Sequence, residues 1–123
     1  MTLAVFIVED EATIQESLQV VLEAYLCAQV VGSARSEAEA VAWLTANPRG
    51  WQLLVVDLLL KQGSGLGVLR ALSGLDRQGA RVVALTNAAS ADNRAACLRL
   101  GADAVFDKAA QINEFLAFCD SGE

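Results

Sequence analysis

The sequence predicts one α/β domain: a doubly wound, five-stranded parallel sheet in the order 2-1-3-4-5, with helices on both faces. Three observations carry this. Short, apolar, largely β-branched runs recur five times, at 3–8, 29–31, 53–56, 82–85 and 104–106. Between them the apolar spacing changes to the 3.6-residue helical period. Finally, 123 residues with 54% hydrophobic, nine Gly and one Pro suit a single domain with a core, and neither a disordered nor a collagen-like chain.

The first run, LAVFIV at 3–8, is unbroken by polar residues, as in a strand covered on both faces. Ile14, Leu18, Val21, Leu22 and Tyr25 then fall at i, i+4, i+7, i+8 and i+11, one stripe of a first helix. The second strand is assigned to 29–31. Ser36 and Glu39 form an S-x-x-E capping box ahead of the stripe Ala40, Val41 and Leu44, and Pro48 closes that helix. After the strand at 53–56, Val68, Leu69 and Leu72 mark a third helix. Asn93, Cys97 and Leu100 mark a fourth, and Gly101 stands where a left-handed C-terminal cap is wanted. Ile112, Phe115, Leu116 and Cys119, at i, i+3, i+4 and i+7, mark the fifth. The first, third and fourth runs are the most apolar and suit central strands. Right-handed crossovers leave two common doubly wound orders, and five strands favour 2-1-3-4-5.

Composition removes several functions. Nine Lys+Arg against 15 Asp+Glu give a net charge of −6, which argues against direct nucleic-acid binding or adhesion to an anionic membrane. Histidine is absent, so no mechanism can use imidazole and no Cys/His zinc site can form. Cys27, Cys97 and Cys119 are odd in number and widely spaced, and read as small core hydrophobes in a reducing cytoplasm. The N-terminal apolar run lacks a basic leader and is too short to span a membrane.

Ligands of open α/β sheets sit beyond the carboxyl ends of the strands, where the strand order reverses. The first strand leads into Glu9, Asp10 and Glu11, the third into Asp57, the fourth into Thr86, and the fifth into Asp107 and Lys108. Singly, each has a plain reading: Asp10 as a helix N-cap, Asp57 as a turn residue, Thr86 as a loop hydroxyl, Lys108 as a solvated charge. Together they predict an acidic crevice with one ammonium. With only oxygen donors available, a hard divalent ion such as Mg²⁺ is the natural counter-charge. Asp57 then has the surroundings of an aspartyl-phosphate nucleophile, with Lys108 and Thr86 meeting the phosphoryl oxygens.

The segments VFIVEDE (5–11), LLVVDLLLKQGSG (53–65), VVALTNA (82–88) and GADAVFDK (101–108) resemble the receiver domain of bacterial two-component response regulators, which has the flavodoxin-like order 2-1-3-4-5. The likeness covers essentially the whole chain, 1–123. It implies Asp57 as the phospho-acceptor, Thr86 as the switch hydroxyl and Lys108 as the phosphoryl-pairing lysine. It also implies Asp10 as a direct Mg²⁺ ligand, Glu9 as a ligand through water, and the Leu59 backbone carbonyl and Asp57 as further ligands. The implied partners are a sensor histidine kinase or a histidine phosphotransfer domain, with output through helix 4, strand 5 and helix 5. Such a receiver is not an enzyme for a separate substrate; it catalyses its own phosphorylation and dephosphorylation. Since Glu123 falls just after the fifth helix, no output domain is expected within the chain, whether it is a stand-alone receiver or an excised domain.

Departures from the family pattern carry their own expectations. Lys61 stands where a proline is usual, with Gly63 and Gly65 expected to supply turn freedom. Ala109 replaces the proline after the lysine, so the Lys108–Ala109 bond is expected to be trans. Val105 replaces the switch aromatic, while Phe106 should point to the other face. Leu59 and Ala88 place no polar group near an attacking water, which predicts a persistent phosphoryl group. Three rivals stand beside the receiver reading. A degenerate receiver would act as a constitutive interaction scaffold. A flavodoxin-type cofactor binder would want a Ser/Thr/Gly-rich loop where EDEAT (9–13) stands. An aspartate-nucleophile phosphohydrolase would want an acid where Leu59 stands.

Overall fold

Strands whose side chains are apolar on both faces must be covered on both, and the chain achieves this by alternating strands with helices. The structure, a computed structural model, describes residues 2–120. The elements are β1 (Leu3–Val8), α1 (Ala12–Tyr25), β2 (Ala28–Ala34), α2 (Glu37–Ala46), β3 (Leu53–Val56), α3 (Gly65–Leu72), β4 (Arg81–Thr86), α4 (Ala91–Arg99), β5 (Ala104–Asp107) and α5 (Ile112–Asp120). The strands pair in parallel in the order β2-β1-β3-β4-β5, as the sequence predicts.

Alternate residues of β1 and β3 feed two cores. Phe6, Val8, Leu54 and Val56 pack with Leu44 of α2, Val68, Leu69 and Leu72 of α3, and Cys97 of α4. Val5, Ile7, Leu53 and Val55 pack with Leu18 and Leu22 of α1 and Phe115 and Cys119 of α5. Phe6 also stacks on Trp43 of α2, with ring centroids 4.1 Å apart.

Helix ends follow the expected chemistry with one change. Ser36 Oγ accepts from the Glu39 amide, but Glu39 Oε1 accepts from the Arg35 amide, one residue before the cap, so the box closes a residue early. Gly101 has φ +101°, and the Gly101 and Ala102 amides donate to Leu98 and Cys97, closing α4 in a Schellman motif.

Three expectations are corrected. β2 runs over Ala28–Ala34 rather than 29–31, because an edge strand is only half covered and tolerates Gly32 and Ser33. Tyr25 ends α1 beyond the buried stripe and is 76% exposed. Cys27 is also exposed, lying in the turn before β2, whereas Cys97 and Cys119 are buried in the two cores.

Candidate functional site

Strand register sets the site. Val8 of β1 is paired with Val56 of β3, and the Asp57 amide donates to the Val8 carbonyl at 3.0 Å, so the residues that follow the two strands lie side by side. On the other flank, Thr86 is paired with Asp107, and the Lys108 amide donates to the Thr86 carbonyl at 3.0 Å. The Lys108 side chain crosses back over β4: its Nζ lies 2.7 Å from Glu9 Oε1 and 2.8 Å from Asp57 Oδ2. The remaining carboxylate oxygens face backbone donors, Glu9 Oε2 the Glu11 amide and Asp57 Oδ1 the Leu59 amide.

Glu9, Asp57 and Thr86 are all buried, at 1%, 6% and 0% exposure. Burial pushes the Glu9 carboxyl above its usual pKa, more than the hydrogen bonds from Lys108 and Glu11 pull it down. Burial alone would lower the Lys108 pKa, but the hydrogen bonds to Asp57 and Glu9 and their negative charge raise it. One ammonium thus serves two buried carboxylates, and negative charge remains in excess.

The other expected residues are placed less directly. Asp10 Oδ2 accepts from the Lys61 amide at 2.8 Å, tying the loop after β1 to the loop after β3. Thr86 Oγ1 accepts from the Ala88 amide at 3.1 Å. Leu59 forms an antiparallel bridge with Ser64, and its side chain is exposed. The donors offered by Glu9, Asp10, Asp57 and the Leu59 carbonyl are all hard oxygens, the set that Mg²⁺ takes. By donor chemistry the residues fit. Among the described residues, however, no trio of Asp, Glu or Cys side chains stands gathered as a metal site; the Lys108 ammonium bridges Glu9 and Asp57, and Asp10 accepts from the Lys61 amide.

The loop after Asp57 explains how the chain manages with Lys61. Gly63 takes φ +82°, as its turn role requires. Gly65 is needed for a different reason from the expected one: a Cβ there would collide with the Asp57 carbonyl oxygen and the Leu58 backbone. Glu37, at the start of α2, accepts from the Ser64 amide at 2.9 Å, and its own amide donates to the Gln62 carbonyl at 3.1 Å. Glu37 also covers Gly63 and Gly67, which a side chain at either position would prevent. Sequence reading missed Glu37 and Gly67, although GSGLG at 63–67, with a glycine at every second residue, was a visible sign of close approach. It also missed Arg94, which bonds the Ala89 and Val105 carbonyls and Gln111.

The expected departures on the far side hold. No cis peptide bond occurs among the described residues, so Lys108–Ala109 is trans. Val105 belongs to the core on the α2–α4 face, whereas Phe106 packs on the other face, near Phe115 and Phe118 at 6.3 and 5.8 Å.

The geometry defines a class first: an open parallel α/β domain whose polar site lies at the carboxyl rim, across the reversal between β1 and β3. The model of the response regulator receiver domain family matches residues 5–120, and the chain belongs to that family. Solved structures agree. The receiver domain of the putative response regulator NarL from Mycobacterium tuberculosis superposes with TM-score 0.81 at 20% identity, covering 99% of this chain and 98% of that one. A response regulator from Burkholderia pseudomallei, solved with a phosphorylated aspartic acid, calcium ion and citrate, gives TM-score 0.79 at 27% identity over 94% of this chain and 65% of that one. The CheX–CheY–BeF3–Mg²⁺ complex from Borrelia burgdorferi gives 0.81 at 18% identity, covering 95% of this chain and 89% of that one. No curated protein matches the sequence. Among the described residues no helix is long and apolar enough to cross a membrane.

Proposed function

We propose that the chain is the phospho-acceptor of a cytoplasmic two-component phosphorelay, with Asp57 taking a phosphoryl group from phosphohistidine on a sensor kinase or a phosphotransfer domain. The observation that supports this most is the Lys108 ammonium held between buried Glu9 and Asp57. In this reading an Asp57 carboxylate oxygen bonds to phosphorus as the P–N bond breaks, and the electron pair leaves on the imidazole nitrogen. Lys108 and the Thr86 hydroxyl meet the charge on the transferred oxygens, so the receiver itself supplies the groups for transfer. Asp10, Asp57 and the Leu59 carbonyl would hold Mg²⁺, with Glu9 acting through water, and the ion would supply charge neutralisation at phosphorus.

Thr86 and its loop then bias the surface of α4, β5 and α5 toward an output partner. Moving such an equilibrium from 1:99 to 99:1 takes a differential of about 5.5 kcal/mol, and a covalent, doubly charged group is the source of that bias. Leu59 and Ala88 leave the phosphoryl group without a polar side chain to position water, so it is long-lived; Leu59→Asn shortens the lifetime several-fold in a phosphate-release assay. The deciding experiment is incubation with a small phosphodonor and Mg²⁺, read by intact mass. A phosphate adduct that disappears in Asp57→Asn is the expected result. No adduct in the wild-type chain would favour the constitutive scaffold instead.

A further inference from the structure

Arg94, in α4, commits its guanidinium to three segments. Nε donates to the Ala89 carbonyl in the loop after β4 at 3.1 Å, Nη1 to the Val105 carbonyl in β5 at 2.8 Å, and Nη2 to Gln111 Oε1 before α5 at 2.7 Å. Gln111 Oε1 also accepts from the Asp107 amide at 2.9 Å, and Asp107 Oδ1 accepts from the Ala109 and Ala110 amides, so the turn bearing Lys108 belongs to the same network. The loop bearing Ala89 begins directly after Thr86. One side chain therefore fastens together the two segments that present the site's hydroxyl and its ammonium.

The chemistry suits a guanidinium. Its planar fork can satisfy several acceptors at once, which a lysine ammonium on a flexible stem cannot do in fixed geometry. These three acceptors are two backbone carbonyls and an amide, so direction rather than ion pairing holds the contact. Val105 also gives the location meaning. Its short side chain lies in the core, and its carbonyl is what Arg94 grips.

Resting on the phospho-acceptor reading, we propose that Arg94 is a positioning residue that locks the 87–90 loop against β5 and the start of α5. Any shift of Thr86 and its loop toward a phosphoryl group on Asp57 must work against these bonds.

The test uses the purified chain titrated with beryllofluoride and Mg²⁺, with thermal unfolding followed in parallel. Arg94→Met keeps most of the stem and removes every donor; Arg94→Lys keeps the charge and loses the fork. The lock predicts a lower unliganded midpoint together with beryllofluoride binding about tenfold tighter for Arg94→Met, and a smaller gain for Arg94→Lys. Gln111→Leu should tighten binding less, and adding it to Arg94→Met should give less than the sum, because the two share a bond. A merely structural arginine would lower the midpoint and leave affinity unchanged or weaker, and that result overturns the lock. If Arg94→Met does not fold, Arg94→Lys decides. Wild-type chain that takes no beryllofluoride sinks the phospho-acceptor reading, and the lock with it; wild-type binding with unaltered variants sinks the lock alone.

Discussion

The loops that follow β3 and β4 flank the same buried aspartate but are held by different means. The first is gripped from outside: Asp10 accepts from Lys61, Glu37 from Ser64, and Gly65 packs against the Asp57 carbonyl itself. The second is held chiefly from α4, the helix it leads into. Ser90 Oγ caps the Asn93 amide, Asn93 Nδ2 donates to the Ala88 carbonyl, and Arg94 donates to Ala89. A loop fixed to two other elements and to the backbone of the acceptor is a platform. The second loop is tied to β5 and to Gln111 through the Arg94 side chain, so it can shift once that side chain lets go. The contrast assigns a fixed hold to the side that bears the carboxylate and a releasable one to the side that bears the hydroxyl.

Gly65 is the most sensitive position in the two loops. Gly65→Ala drives a Cβ into backbone that cannot move aside, so the expected loss exceeds about 3 kcal/mol in urea unfolding, with phosphoryl acceptance lost as well. Glu37→Ala should cost about 1–2 kcal/mol, since it leaves the Ser64 amide without its charged acceptor. Amide exchange should quicken in the 58–64 loop and not in 87–90. Exchange quickening equally in both loops would erase the distinction between them. On the side of the hydroxyl, Ser90→Ala should cost about 1 kcal/mol or less and loosen only the loop after β4.

Lys108 joins the two sides, and pH probes that link. Its folded pKa is raised, so its stabilising contribution is complete below the unfolded value of 10.5 and is lost as pH climbs through the folded one. Buried Cys119 acts in the same direction. Burial holds its thiol up to about 12 against an ordinary 9.0, so the unfolded chain sheds this proton first and stability falls across that interval. Alkaline denaturant titrations should therefore show declining stability from about pH 9. Cys119→Ala should lessen the decline over the whole interval from 9.0 to about 12, leaving the contribution of buried Cys97, whose thiol pKa burial also raises from 9.0, and above pH 10.5 that of Lys108.

The fold was legible because four strands are continuous apolar runs and the helical stripes between them are regular. β2 was half visible, since Gly32 and Ser33 interrupt its run and an edge strand needs less apolar cover. Tyr25 and Cys27 were misread because periodicity says nothing about where a helix stops facing the core. At the site, Glu9, Asp57, Thr86 and Lys108 could be picked out by their common position at strand ends. Asp10 stands in the expected place, yet its bond to Lys61 is a tertiary fact that no local pattern encodes. Glu37 and Arg94 were invisible for the same reason: each looks like an ordinary charge in the first turns of a helix, and its partners lie on other elements.

The stacking of Trp43 on Phe6 has an optical consequence. Both tryptophans of the chain, Trp43 and Trp51, pack into the core on the α2–α4 face, and neither packs into the one on the α1–α5 face. Trp51 is almost fully enclosed and its indole nitrogen has no hydrogen-bond partner among the described residues, an environment that shifts emission to the blue. Tryptophan fluorescence, excited selectively over Tyr25, therefore watches one half of the molecule and is blind to the other. Loosening that begins around α1 and α5 would register in backbone circular dichroism before the emission spectrum changes.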